Sequence, residues 1–297
     1  MTWKGVFPAV TTKMRPSGAL DLAATQASID RLIANGVSGV IVLPMLGENA
    51  SLTQPERDAV VTAAREAVAG RVPLLSGLAE LSTADARRAA RNYARLGAEG
   101  LMAFPSLAYR TDRAETVAWY KAIAAEGLPV MIYNNPIAYR VDVDVPTLEA
   151  LASIPEIVAV KEETGDIRRV TDLFNAFADR FAVFCGVDDL ILESLALGAT
   201  GWVSGMTNAW PAECVRLFEL ARARDPRALA LYRLMTPAFH LDTEVKLVQL
   251  IKLAEHIVCG APAAVRPPRL PLRGPEKARA EAIIRKTIAG LAAATAP

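Results

Sequence analysis

Short runs of Val, Ile, Leu and Met alternate with stretches whose apolar residues recur every three or four positions, and the alternation persists through most of the chain. Strand-like runs fall at residues 5–11, 39–44, 73–78, 100–105, 129–134, 157–162, 181–186 and 201–204. The intervening stretches read as helices. Leu22, Ile29, Leu32 and Ile33 share a face, and Gly36 follows where a helix stop belongs. Thr53-Gln54-Pro55-Glu56 spells a capping box with proline in the first turn, and Ser82-Thr83-Ala84-Asp85 opens a helix in the same way. Further helices are expected to stop before Gly70, Gly97, Gly127 and Gly198.

Continuously apolar strands separated by helices imply an α/β fold with a parallel sheet covered on its outer face. Eight such units fill the length of a closed (β/α)8 TIM barrel, here residues 1–225. Helical patterns at 226–239, 243–259 and 276–291 then form a C-terminal helical extension, residues 226–297, of the same domain. Arg266-Pro267-Pro268-Arg269-Leu270-Pro271 is a stiff connector within it.

Composition narrows the partners. A hydrophobic content of 52% supplies a large core, and a net charge of +1 gives no field to draw in nucleic acid or an anionic membrane. The longest apolar run, around residues 37–46, is too short to span a bilayer, and Met1 to Lys13 hold no signal-like stretch. Cys185, Cys214 and Cys259 are odd in number and scattered, as reduced thiols are. The expectation is a cytoplasmic protein with a small-molecule partner; Asn49-Ala50-Ser51, a glycosylation sequon by pattern, is then coincidence.

In a barrel of this kind, reactive groups stand at the C-terminal ends of the strands. The sixth strand ends Val160-Lys161-Glu162-Glu163, a lysine where the apolar pattern should continue. Alternation puts Ile157, Ala159 and Lys161 on one face, with small Ala159 leaving room. On the fifth strand Met131 and Tyr133 share a face, and neighbouring strands lie about 4.8 Å apart, so Tyr133 and Lys161 could meet over one small molecule. Desolvation of a lysine disfavours its charged form and leaves a nucleophilic amine that can form imines. Tyr133 would then move protons at the imine and the adjacent carbon. The bland alternative is a surface lysine paired with Glu162 or Glu163.

Other chemistries find less support. The only histidines, His240 and His256, lie in the helical extension, so no metal site is expected. No dinucleotide, P-loop or serine-hydrolase motif occurs, which removes the main sequence support for those readings. The seventh and eighth strand ends, Gly186-Val187-Asp188-Asp189 and Ser204-Gly205-Met206-Thr207-Asn208, lack a basic phosphate cradle, which points to an unphosphorylated substrate. Leu46, Gly47, Glu48, Asn49 and Ser51 after strand two, Glu80 after strand three, Gly186 and Asp188 after strand seven and Ser204 after strand eight are candidate substrate contacts. For the polar members, a cap or loop hydrogen bond is the competing role.

Gly5-Val6-Phe7-Pro8-Ala9-Val10-Thr11-Thr12, Tyr133-Asn134-Asn135-Pro136, Val160-Lys161-Glu162-Glu163-Thr164-Gly165-Asp166 and Arg266-Pro267-Pro268 together resemble the dihydrodipicolinate synthase and N-acetylneuraminate lyase family of Schiff-base barrels. The resemblance covers nearly the whole chain. It implies Lys161 as the imine former, Tyr133 as its proton-transfer partner, a homotetramer built as a dimer of dimers, and no metal or organic cofactor.

The chain also departs from the family pattern. Pro44-Met45-Leu46-Gly47-Glu48 stands where the family has two threonines, so Leu46 replaces the hydroxyl that links two tyrosines in a proton relay. The relay's partner-subunit tyrosine should fall near Leu107, with Tyr109 a candidate stand-in. Ala138 occupies the position of an arginine that helps the synthase bind its dicarboxylic partner, and Arg140 lies two residues on. Losing a charged hydrogen bond to a carboxylate costs about 1.5–3 kcal/mol.

These departures suit the branch that deaminates 1-pyrroline-4-hydroxy-2-carboxylate to 2,5-dioxopentanoate in hydroxyproline degradation, whose segment after strand two Leu46-Gly47-Glu48-Asn49-Ala50-Ser51-Leu52 resembles. Dihydrodipicolinate synthase, condensing pyruvate with aspartate semialdehyde, is the main alternative. A 2-keto-3-deoxy sugar acid dehydratase or aldolase would use the same two residues. A keto-acid sensor without turnover would not require an amine beside a phenol.

Overall fold

The computed structural model describes residues 3–295. Eight strands are present among them: β1 (Gly5–Pro8), β2 (Val40–Val42), β3 (Leu74–Leu78), β4 (Gly100–Ala103), β5 (Val130–Asn134), β6 (Ile157–Glu162), β7 (Ala182–Cys185) and β8 (Gly201–Ser204). All pair in parallel in one sheet ordered β1-β8-β7-β6-β5-β4-β3-β2. The ring closes where Ala9 bridges Ile41 and Val10 N donates to Ile41 O at 2.9 Å.

The helices that cover the strands are α1 (Leu22–Ala34), α2 (Gln54–Val68), α3 (Thr83–Arg95), α4 (Arg113–Ala124), α5 (Pro136–Tyr139), α6 (Val145–Glu149), α7 (Arg168–Phe177), α8 (Ile191–Ala196) and α9 (Pro211–Arg222). The extension adds α10 (Arg227–Phe239), α11 (Leu247–Cys259) and α12 (Gly274–Thr295). Together they make a (β/α)8 TIM barrel with C-terminal helices. The capping box at Thr53 forms, with Glu56 accepting from Thr53 N at 2.9 Å, and Ser82 caps α3.

Several strands end earlier than their apolar runs. Strand β2 stops at Val42 because Leu43 takes a left-handed φ of 55° and Pro44, which follows, has no N–H to give the ladder. Helix α11 begins at Leu247 instead of residue 243, since Glu244 is extended and the preceding His240–Thr243 segment is a separate 3-10 turn. That turn stands over the barrel mouth.

Side chains alternate between two cores. Met131, Tyr133, Met102, Phe7 and Phe184 belong to a cluster that fills the barrel interior and runs on into α9–α12. Val130, Ile132, Val160 and Val183 belong to a second cluster beneath α1–α4, α6 and α7. The rings of Phe7 and Phe184, two strands apart, meet edge to face with centroids 5.4 Å apart, so the interior is packed. They fit because Gly39 and Gly201 stand beside them, where a Cβ would come within 2.1 and 2.2 Å of a ring.

Strand β6 departs from simple alternation at its start. Val130 pairs with Ile157 but Met131 pairs with Ala159, so Val158 is an extra residue and Ile157 packs in the outer cluster with Val160. The expected sharing of one face by Ile157, Ala159 and Lys161 therefore holds only from Ala159 onward, because the bulge flips the residue before it.

The extension is tied to the strand ends by charges without solvent access. Lys252 on α11 bonds Glu48 Oε1 at 2.5 Å and Ala264 O at 2.8 Å, and Arg266 N donates to Glu48 Oε2 at 2.9 Å. Lys13 pairs with Glu255 beside Thr11, and all four charged side chains are fully buried. Removing one partner of such a pair strands the other. Lys252→Met should lose roughly 3–5 kcal/mol, read as a lower urea midpoint, while Glu48→Gln/Lys252→Met recovers part of the loss. A single variant as stable as the wild type would show that this pair does not hold the extension.

Candidate active site

The register of β5 and β6 sets Tyr133 directly opposite Lys161. The two side chains enter the barrel mouth from adjacent positions. Lys161 is only 6% exposed, and its Nζ lies 4.0 Å from the centre of the Tyr133 ring. The aliphatic part of the lysine runs past Gly186 at the end of β7, where a Cβ would fall 2.9 Å from Lys161 Cε. Glycine is what lets the amine pass.

Glu163 follows two residues after Lys161 and forms an ion pair with its Nζ. Asn135, two residues after Tyr133, joins the two halves: its Nδ2 donates to Tyr133 Oη at 3.1 Å and to Glu163 Oε1 at 2.9 Å. The neighbouring Glu162 faces the other way, held by Asn134 Nδ2 at 3.0 Å and Thr164 N at 2.7 Å. Tyr133 is packed edge to face against Phe104, centroids 4.8 Å apart, and against Tyr139, 5.6 Å apart. Burial, followed by the negative charge of Glu163, holds the Tyr133 phenol well above its ordinary range, so it stays neutral and able to donate a proton.

Two further carboxyl groups complete the acid side. Asp188 is fully buried and accepts from Trp202 Nε1 at 2.9 Å and Met206 N at 2.7 Å. Burial pushes its carboxyl up to about 7 despite these donors, and Lys161 acts in the opposite direction. Asp242, carried on the 3-10 turn of the extension, is raised well above the usual carboxylate range by burial and then by the charges of Asp188 and Glu163. A cleft of about 600 Å³ opens over these groups, with Met45, Asn135, Ala138, Glu163, Gly186 and Asp242 in its wall.

The other expected contacts are distributed unevenly. Gly186 lines the cleft, Asp188 lies just behind it, and Ser204 Oγ accepts from Thr207 N at 3.0 Å while also bonding Asp188. Leu46 is buried in the inner cluster, and Gly47 O accepts from Thr12 at 2.8 Å, so it is Met45 of this turn that meets the cleft. Glu48, Asn49, Ser51 and Glu80 are not brought there. Glu48 is spent on Lys252, Asn49 Nδ2 bonds Leu43 O at 3.0 Å and Gly77 O at 3.2 Å, Ser51 Oγ accepts from Arg269 at 3.3 Å, and Glu80 pairs with Arg57 at 2.7 Å. Each helps to hold a loop or helix.

Tyr109 is exposed and bonds Glu115 at 2.7 Å within its own chain. His240 bonds Asp189 at 2.6 Å and His256 bonds Ala261 O at 3.0 Å. Among the described residues no three His, Cys, Asp or Glu side chains are arranged to hold a metal ion, and no helix is long and apolar enough to cross a membrane. Cys185, Cys214 and Cys259 are free.

Sequence reasoning passed over Glu163 as an active-site group, along with Asn135, Tyr139 and Asp242. The i+2 spacing of Glu163 from Lys161 and of Asn135 from Tyr133 was the available signal, since extended residues two apart share a face. Asp242 had none, because it arrives from a turn more than fifty residues beyond β7.

Because Asp188 binds its proton more tightly folded than unfolded, its contribution to stability is fully present below about 3.8 and is lost as pH rises to about 7. Relative to wild type, Asp188→Asn should therefore gain thermal stability across that interval and no more above it. A difference in melting temperature that is flat with pH would contradict the buried-acid assignment.

The Dihydrodipicolinate synthetase family description matches residues 2–287. The 4-hydroxy-tetrahydrodipicolinate synthase of Exiguobacterium sibiricum is 37% identical over 75% of this chain and 76% of its own. That of Methanoculleus marisnigri is 31% identical over 94% and 96%. Among solved structures, the 4-hydroxy-tetrahydrodipicolinate synthase of Methylacidiphilum fumariolicum SolV superposes with a TM-score of 0.93 at 26% identity, covering 98% of each chain. A prophage protein of the dihydrodipicolinic acid synthase family from E. coli K12, solved in complex with pyruvate, gives 0.91 at 26%, covering 97% and 99%. A barrel of eight parallel strands with a lysine and a tyrosine facing each other at its mouth thus meets relatives that span the full length of the fold: the chain belongs to the dihydrodipicolinate synthetase family and is a class I, Schiff-base lyase.

Proposed function

We propose that Lys161 attacks the 2-oxo or 2-imino carbon of a small unphosphorylated hydroxy acid, that Tyr133 donates and accepts protons beside it, and that the favoured substrate is 1-pyrroline-4-hydroxy-2-carboxylate. The observation that supports the choice of substrate is that no guanidinium stands in the cleft wall. Ala138 opens into it, Glu163 and Asp242 line it, and Arg140 instead faces a separate surface hollow with Arg110, Asp112 and Asp144. A second substrate bearing its own carboxylate would find no guanidinium there to pair with. A cyclic imine reacts without such a second carboxylate partner, so its reaction does not need one.

In this reaction Lys161 Nζ adds to C2 and the ring C2–N bond breaks, leaving an open-chain imine with a free amine at C5. Loss of a C3 proton gives an enamine, which expels the C4 hydroxyl as water. Tautomerisation to a C5 imine and hydrolysis at both ends then release ammonia, free Lys161 and leave 2,5-dioxopentanoate. On this reading the turn after β2 receives the substrate carboxylate beside Met45, and Gly186, with Asp188 and Ser204 behind it, supports the opposite side. No metal or organic cofactor enters any of these steps. The expected setting is the cytoplasm, and the expected assembly a homotetramer, a dimer of dimers.

A second reading, condensation of pyruvate with aspartate semialdehyde, is favoured by the names of the relatives. The two are separated by borohydride trapping with pyruvate and with the pyrroline, peptide mass spectrometry, and an ammonia assay on the unreduced reaction. The expected result is a Lys161 adduct with both acids, ammonia release from the pyrroline, and loss of every adduct in Lys161→Ala. A Lys161 adduct without ammonia would replace the deaminase with the synthase or with a sugar-acid dehydratase. Trapping that survives in Lys161→Ala would end the imine assignment.

A further inference from the structure

The imine-forming amine starts as an ammonium and must lose a proton before it can attack a carbonyl. The resembling enzymes surround their tyrosine with hydroxyls for such transfers, but here Leu46 is buried apolar surface and Leu107 carries no proton. Three observations converge instead on Glu163. Its carboxylate is ion-paired with Lys161 Nζ. It accepts from Asn135 Nδ2 at 2.9 Å, the same amide that contacts Tyr133 Oη. It also lines the cleft, so it touches the amine and the space for substrate and reaches the phenol through Asn135.

We propose that Glu163 is a catalytic residue of this lyase, the base that deprotonates Lys161 and the acid that returns that proton to the departing oxygen during imine formation. The inference rests on Lys161 being the imine former. The Lys161 ammonium gives a proton to Glu163, and the freed Nζ lone pair forms the bond to C2 of a 2-oxo acid. A proton passes from the nitrogen to the former carbonyl oxygen, giving a carbinolamine. Glu163, now a neutral acid, protonates that hydroxyl; the C2–O bond breaks, water leaves, and the nitrogen lone pair forms the iminium. The carboxylate is regenerated, and the net change is ammonium plus ketone to iminium plus water. Asn135 is the positioning residue, since its amide donates to both the carboxylate and the phenol.

The test is the time course of borohydride-trappable adduct on Lys161 at saturating pyruvate, in wild type, Glu163→Gln and Glu163→Asp, with the melting temperature of each. The amide keeps the shape and the Asn135 contact but cannot carry the proton, so Glu163→Gln should label on the order of 100-fold more slowly yet reach the wild-type end point. Glu163→Asp should regain part of that rate. If the amide variant does not fold, Glu163→Asp against Glu163→Asn makes the same comparison. Labelling of Glu163→Gln at the wild-type rate, or an aspartate no faster than its amide, would overturn the role of Glu163 while leaving Lys161 in place. Absence of a Lys161 adduct in the wild type would overturn the imine reading itself and this inference with it.

Discussion

A buried ammonium must be matched by an anion, and three lysines of this chain are buried at or near the barrel mouth. Lys13 is enclosed with Glu255 and Thr11, and Lys252 with Glu48 and a backbone carbonyl. Neither pair touches the cleft. These two ion pairs bind the first strands to α11, and through α11 they fix the turn that carries Asp242. Lys161 follows the same rule with Glu163, but its pair faces open space. The same electrostatic requirement that elsewhere freezes a contact here leaves one amine and one carboxylate able to exchange a proton.

The surroundings of Lys161 are built by the barrel's packing. Ala159 below it and Gly186 beside it provide the volume, and Phe104 and Tyr139 wedge Tyr133 so that its ring stays under Nζ. Burial raises the proton affinity of Tyr133, Asp188 and Asp242 alike, so the acid side of the site holds several protons at neutral pH. Elimination of water from a hydroxy acid needs proton donors and acceptors within one pocket, and this distribution supplies both.

The fold was legible because its signal is repeated: each strand is an uninterrupted apolar run, and each helix carries a local start or stop. Lys161 was legible for the opposite reason, as a charge interrupting such a run, and Tyr133 followed from strand alternation. What failed was local. The bulge at Val158 leaves no trace in composition, and Leu43 is not a residue whose left-handed turn can be foreseen. The polar residues after β2 and β3 read equally well as ligands or as struts. Glu48 could be decided only by the fully buried Lys252, two hundred residues away, which sequence spacing cannot place.

The departures from the family pattern are easier to understand together than one by one. Leu46 brings no hydroxyl to the Tyr133 side and Ala138 brings no cation to the cleft, whose wall holds Glu163 and Asp242. With Asp242 held protonated by burial and Glu163 paired with Lys161, what the cleft wall lacks for a second carboxylate is a partner cation. In the proposed mechanism the proton path runs through Glu163, a carboxylate on the lysine's own strand end, and not through hydroxyls. Specificity and proton transfer are then linked in that proposal, because one residue beside Lys161 serves both.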